Sequence, residues 1–317
     1  MHKRRTSVIC TILCGFLLLS CSGSPTPPAQ ATATPTSTKL PPSPTPSPSP
    51  TPTAVAPKRY TFHMVLQGVG RPDDLAFDRE GLLLFSDFYA GTISRVNANG
   101  SVKVLLRGIA GPEGIVVLSD GTLIVAEQRT NRILLFASQS TSAMVLRQLP
   151  GTPSTQQCKD GVDGIAFDPT SNTLIIPDSP TGEVYRLSLD GKTFTLLASG
   201  IVRPVGAAVD EQGNIYVADE CGGDLWRIAP NKIKTSIGRF GMLDDVVLDT
   251  HGNVLVTDLQ PSLHALIRMN LATGRRETLV NNGLIEPQGL AIDARDNIFV
   301  SDDYANLILE LCAHTTC

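Results

Sequence analysis

The chain has 317 residues, with 26 Lys and Arg against 30 Asp and Glu and only 5% aromatic residues. No basic stripe interleaved with aromatics runs through it, which argues against a nucleic-acid partner. More than half of its 23 prolines fall before residue 58. That front segment cannot bury a core, whereas the remaining ~260 residues suffice for one.

The first twenty residues read as a targeting segment: His2-Lys3-Arg4-Arg5 is a basic end and Val8 to Leu19 an apolar stretch. That stretch falls well short of the ~20 residues a membrane-spanning helix needs. Leu18-Leu19-Ser20-Cys21 resembles the bacterial lipoprotein signal, which implies lipidation at Cys21; an ordinary secretory signal cut nearby is the alternative. Residues 22–57 are almost wholly Pro, Ser, Thr and Ala and read as an extended tether, able to reach ~110 Å in a polyproline II conformation. Taking Lys3, Arg4 and Arg5 from 26 basic residues leaves 23 against 30 acidic, a net of −7 for the rest. The chain therefore divides into a leader (1–20), a lipidated Cys with its tether (21–57) and a globular part (58–317).

The globular part repeats one unit. An acid ending a short apolar run recurs as Asp87, Glu127, Asp178, Asp219, Asp258 and Asp302, at steps of 40, 51, 41, 39 and 44 residues. Fourteen residues before each acid (fifteen in the third unit) stands Asp73, Glu113, Asp163, Val205, Asp244 or Gln288, just ahead of a first apolar run. A third run starts six residues after the acid in five units and eight in the fifth, at Ile93, Ile133, Val184, Leu225, Leu266 and Ile308. Short β-branched runs between Gly, Asn and Asp turns are strands, and four of them in 40 to 45 residues make a propeller blade. The sixth unit has no fourth strand, but Val65 to Pro72 reads like Leu197 to Pro204, a fourth strand and the approach to the next blade. The spacing thus predicts an all-β, six-bladed propeller whose Tyr60–Leu66 strand pairs onto the last blade and closes the ring, leaving no open sheet edge.

Four cysteines remain outside the leader and Cys21: Cys158, Cys221, Cys312 and Cys317. An even number in an exported chain suggests disulfides. In an up-and-down blade the loop entering strand one and the loop after strand two share a face, which favours Cys158–Cys221, with Cys312–Cys317 tying down the tail. Buried or free thiols are the alternative.

The same loop geometry places two rings of acids on one face. The second-strand acid is present in every unit, so a structural task, accepting backbone N–H groups of the following turn, is expected of it. The strand-entrance set varies, with Val205 and Gln288 breaking it, as a single asymmetric site would. Asp73, Glu113, Asp163 and Asp244 are accordingly the candidate ligands of a divalent cation, oxygen-only donors suiting Ca²⁺ or Mg²⁺. His264, in the longer loop of unit five, is the one histidine within reach of the acidic face.

The units resemble NHL repeats, most closely Arg203 to Ile228 and Glu286 to Asp302. The chain is also similar to the regucalcin/gluconolactonase family, six-bladed propellers that hold a divalent cation at the tunnel mouth and open sugar lactones. That resemblance puts Asp73 at the family's Glu place, Asp163-Gly164 at its Asn-Gly place and Val205-Gly206 at its Asp-Gly place. Valine can neither ligate a metal nor accept a proton, and the family's second-blade Asn-Asp-Gly is replaced by Gly111-Pro112-Glu113-Gly114. Streptogramin lyases are also propellers of related repeats, and of their mouth residues only Glu127 matches in type. The sequence favours a membrane-tethered, extracytoplasmic module binding a small molecule or a protein, with a metal-dependent lactonase or esterase as the alternative.

Overall fold

The computed structural model describes residues 60–68, 70–156 and 158–313. The leader, Cys21, the tether, His314 and Cys317 lie outside the described residues. Those described form six four-stranded antiparallel sheets, five of them in simple up-and-down order. The sixth takes its outer strand from the front of the globular part: Thr61–Gln67 pairs antiparallel with Leu307–Cys312, Thr61 facing Cys312 and Met64 facing Leu309. The ring is shut as expected, and the chain is a six-bladed β-propeller.

Position in a blade decides how each strand is composed. Second strands such as Leu83–Asp87, Ile215–Asp219 and Ile298–Asp302 are buried at every residue, because neighbouring blades cover both faces. They are near-continuous apolar runs for that reason. Fourth strands such as Lys234–Arg239 line the outside and carry polar and charged residues. Between the first and second strands an Asp side chain closes the turn: Asp210 Oδ1 accepts from the amides of Gln212 and Asn214, and Asp249 and Asp293 repeat the pattern. Gly213 completes that turn at φ +77°, a left-handed conformation costly to other residues.

The core is divided like the ring. Six apolar clusters each lie between two adjacent blades; Val116, Ile124 and Ile133 of the second meet Val162, Leu174 and Ile176 of the third. Another joins the closing strand's Leu66 to Phe85 of the first blade and Phe299 and Ile308 of the last. Such a wheel is held by nearest-neighbour interfaces, so closing it matters as much as filling any one interface.

At the hub the inner strands come close. A Cβ on Gly164 would stand 2.9 Å from Gly206 Cα, and one on Gly289 2.6 Å from Asp74 Cα. Glycine is required at these two positions, where one inner backbone passes the next.

Candidate functional site at the acidic mouth

The strand-entrance residues are aimed by irregular backbone. In blades two, four, five and six the ladder between the first two strands breaks register at Pro112/Ile115, Pro204/Ala207, Leu243/Val246 and Pro287/Leu290. The residues inside those breaks are Glu113, Val205, Asp244 and Gln288 with their followers. A bulge of this kind re-aims a side chain and frees an amide. In two blades a second-strand hydroxyl takes that amide: Thr257 Oγ1 accepts from Asp245 N at 2.9 Å, and Ser301 Oγ from Gly289 N at 2.9 Å. In blade one, Ser86 Oγ does the same for Asp74 N.

Asp73, Glu113, Asp163 and Asp244 converge on one cavity of about 260 Å³ at the tunnel mouth, as expected from the sequence. All four are buried. Burial pushes the carboxyls of Asp73, Glu113 and Asp244 well above the ordinary carboxylate range, and repulsion from neighbouring acids adds to it. Asp163 is raised by burial too, with Arg203 pulling the other way. Val205 does not reach the mouth. It is fully buried in the apolar cluster between blades four and five, among Leu225, Leu243 and Val256.

The mouth has two unlike halves. In one, the Arg203 guanidinium stands 3.1 Å from Asp163 and 3.5 Å from Asp160, and also pairs with Glu220. Gln128 Nε2 donates to Asp163 Oδ2 at 3.2 Å. The disulfide expected between Cys158 and Cys221 is present, joining the loops that carry Asp160 and Glu220. Cys312 is disulfide-bonded as well. In the other half stand Asp73, Glu113 and Asp244. Glu113 is 5% exposed, and its buried Oε2 has no hydrogen-bond partner.

Above the cavity runs an aromatic rim. Arg71 lies between the rings of Tyr89 (3.8 Å) and Tyr304 (4.6 Å) and donates to Asp303 Oδ2 at 2.9 Å. Arg129 stacks on Phe88 at 4.4 Å. Tyr89 and Tyr304 occupy the same place in their blades, two residues past the second-strand acid.

Two groups escaped the sequence reading. Asp74 and Asp245, each the second of a doubled acid, sit on the tunnel wall where four other blades have Gly. Asp74 Oδ2 accepts from Ile115 N of blade two and Asp245 Oδ2 from Leu290 N of blade six, so each clasps the next inner strand. Burial pushes the Asp74 carboxyl up to about 7. The other group is the residue just after the second-strand acid in five of the six blades: Phe88, Gln128, Glu220, Leu259 and Asp303 all line the mouth. Its variation from blade to blade was the available signal. His264, by contrast, is half-buried beside the mouth rather than in its lining, with Nδ1 unpartnered.

The second-strand acids do the structural work expected of them. Asp219 accepts from the amides of Arg203 (2.9 Å) and Gly222 (2.9 Å), more weakly from Val202, and from Trp226 Nε1 (3.1 Å). Asp258 accepts from Gly241, Met242 and Gln260, and Asp302 from Ile285, Glu286 and Ala305. Each ties the loop entering its blade to the turn leaving its second strand.

The residues only partly suit the metal that the lactonase resemblance implies. The orphaned oxygen of Glu113 in a crowded acidic mouth is compatible with a bound cation. Among the described residues, however, no three His, Cys, Asp or Glu are gathered as a metal-holding group.

Solved structures share this architecture. A gluconolactonase from Xanthomonas campestris is 16% identical, with 80% of this chain and 89% of that one covered at a TM-score of 0.66. The likeness is one of fold. The PQQ-bound aldose sugar dehydrogenase of Streptomyces coelicolor, 16% identical, covers 81% and 99% at 0.67. An inactive variant of virginiamycin B lyase from Staphylococcus aureus, bound to quinupristin, is 13% identical and covers 81% and 100% at 0.60. No family model matches the chain, and no curated protein does.

Proposed function

We propose that the protein is a lipid-anchored, extracytoplasmic binding module that captures a positively charged ligand, free or on a protein surface, at the acidic mouth of its propeller. The observation that carries this reading is Glu113, buried with one oxygen unpartnered in a cavity that Asp73 and Asp244 also line. Leaving such a group without a partner costs stability, and a ligand that supplied the missing charge would recover it. Anchoring rests on Leu18-Leu19-Ser20-Cys21 and the Pro-rich run after it. Fatty-acid labelling of the full chain should be lost in Cys21→Ala.

The simplest such ligand is Ca²⁺ or another divalent ion. Asp73, Glu113 and Asp244 would hold it, with Asp163 already engaged by Arg203. Binding would have to draw these carboxyls together. The test is thermal unfolding with Ca²⁺ or Mg²⁺ against chelator: the ion should raise the melting temperature by a few degrees, and Asp244→Asn should abolish the rise. An unmoved curve would rule out the ion as the ligand.

The fold shared with a gluconolactonase supports a second reading, a metal-dependent lactone or ester hydrolase. Against it stands Val205, in the core where the resemblance asks for a metal-binding base. Metal-dependent turnover in a lactone panel would reinstate the enzyme.

A further inference from the structure

The geometry points to an organic cation, a primary ammonium or guanidinium carried on a small flat or apolar body, as the ligand of this mouth. The inference rests on the binding-module reading and goes beyond it by naming the ligand's chemistry. The protein itself supplies the first example. Arg203 sets a guanidinium against Asp160, Asp163 and Glu220, which shows the kind of charge this hub accommodates. Across the same cavity, Asp73 and Glu113 share a side-chain hydrogen bond, Asp244 makes no ion pair among the described residues and feels Arg203 only at a distance, and Glu113 Oε2 is buried without a donor. An ammonium or guanidinium placed there would repeat the arrangement of the Arg203 half.

Size and lining separate this ligand from a bare metal ion. The cavity of about 260 Å³ is several times the ~30 Å³ that one water occupies, leaving room for a body behind the charged head. The carboxyls are not gathered as a metal-holding group among the described residues. Hydrogen-bonded N–H groups tolerate more widely spaced acceptors than a metal's inner shell does. Tyr89 and Tyr304 line the opening, with 52% and 54% of their surfaces exposed, and Phe88 and Leu259 extend the apolar wall. Arg71, stacked between the two tyrosines, again shows a planar cation satisfied by these rings. A ligand's charged head would enter among the carboxyls while its flat body rests on the rim.

The test is calorimetric titration of the purified full chain with phenethylamine and agmatine, with 2-phenylethanol as the neutral counterpart and Ca²⁺ alone as a separate titrant. At least one amine should bind at least about tenfold more tightly than the alcohol, a difference equivalent to about 1.4 kcal/mol. Glu113→Gln, which preserves the side-chain shape, should weaken amine binding about tenfold or more and leave the alcohol unchanged. Tyr304→Ala, at a rim position with 54% of its surface exposed, should weaken phenethylamine more than agmatine. Equal binding of amines and alcohol, or amine binding indifferent to Glu113→Gln, would overturn the inference. Ca²⁺ binding without amine binding would also overturn it, while leaving the mouth as a cation site. If neither amines nor Ca²⁺ bind, the binding-module reading itself falls.

Discussion

The outer ring of acids is complete in all six blades and the inner ring holds acids in four; both are buried, yet the protein treats them in opposite ways. Asp219 is surrounded by donors, three backbone amides and an indole N–H. Glu113, one strand nearer the axis, keeps an oxygen with none. The outer ring has exchanged water for protein hydrogen bonds; part of the inner ring has lost water without that exchange. Recurrence therefore tells where a carboxylate is placed, and the donors around it tell what it is for.

The sharpest way to break this contrast is to remove an outer acid. Asp219→Ala strands four donors, each costing about 1 to 3 kcal/mol, so denaturant unfolding should show a loss of about 4 kcal/mol or more. A loss below about 1 kcal/mol would mean that the outer ring does not hold the blades together.

Asp74, on the tunnel wall beside the inner ring, should reveal itself through pH. The folded state holds Asp74 neutral up to about 7, against 3.8 for the free side chain. Between these values the unfolded chain ionises and the folded one does not. Stability present below about pH 4 is therefore lost as pH rises through about 7. For Asp74 the loss is no more than about 4 kcal/mol, less whatever the tunnel solvent screens. Unfolding followed from about pH 4.5 to about pH 8 should show the decline, and Asp74→Asn should flatten it.

The disulfide comes next in size. Cys158 and Cys221 are 63 residues apart, and the paired Ser substitutions should cost about 2 to 4 kcal/mol. They should also loosen the hold of Asp160 and Glu220 on Arg203, read as weaker protection of the two loops in hydrogen exchange.

The six blades and the closing strand were legible because each follows from spacing alone, and the Cys158–Cys221 bridge was favoured because the loops of an up-and-down blade put both cysteines on one face. A period near 40 residues fixes a blade, and a missing fourth strand demands one from elsewhere. The convergence of Asp73, Glu113, Asp163 and Asp244 was legible for the same reason. What spacing could not show is how side chains share the hub. Arg203, two residues before Val205, reads as part of a turn, and only packing shows it reaching Asp163. Asp74 and Asp245 read as duplicates of their neighbours, because local backbone geometry, a bulge in the case of Asp244 and Asp245, decides which of two adjacent acids faces the mouth. The tyrosine rim needs two blades distant in sequence to stand side by side, which ring closure alone brings about.

The central claim is that the inner acids are kept at a cost to folding and the outer acids for its benefit. A paired unfolding measurement at about pH 7.5 tests it directly, comparing Glu113→Gln with Asp219→Asn in the absence of ligand. Glu113→Gln should gain about 1 to 2 kcal/mol, since a neutral amide removes both the cost of burying a charge and the repulsion from Asp73, Asp163 and Asp244, while Asp219→Asn should lose stability. If Glu113→Gln is instead as destabilising as Asp219→Asn, both rings are structural and the mouth is no binding site.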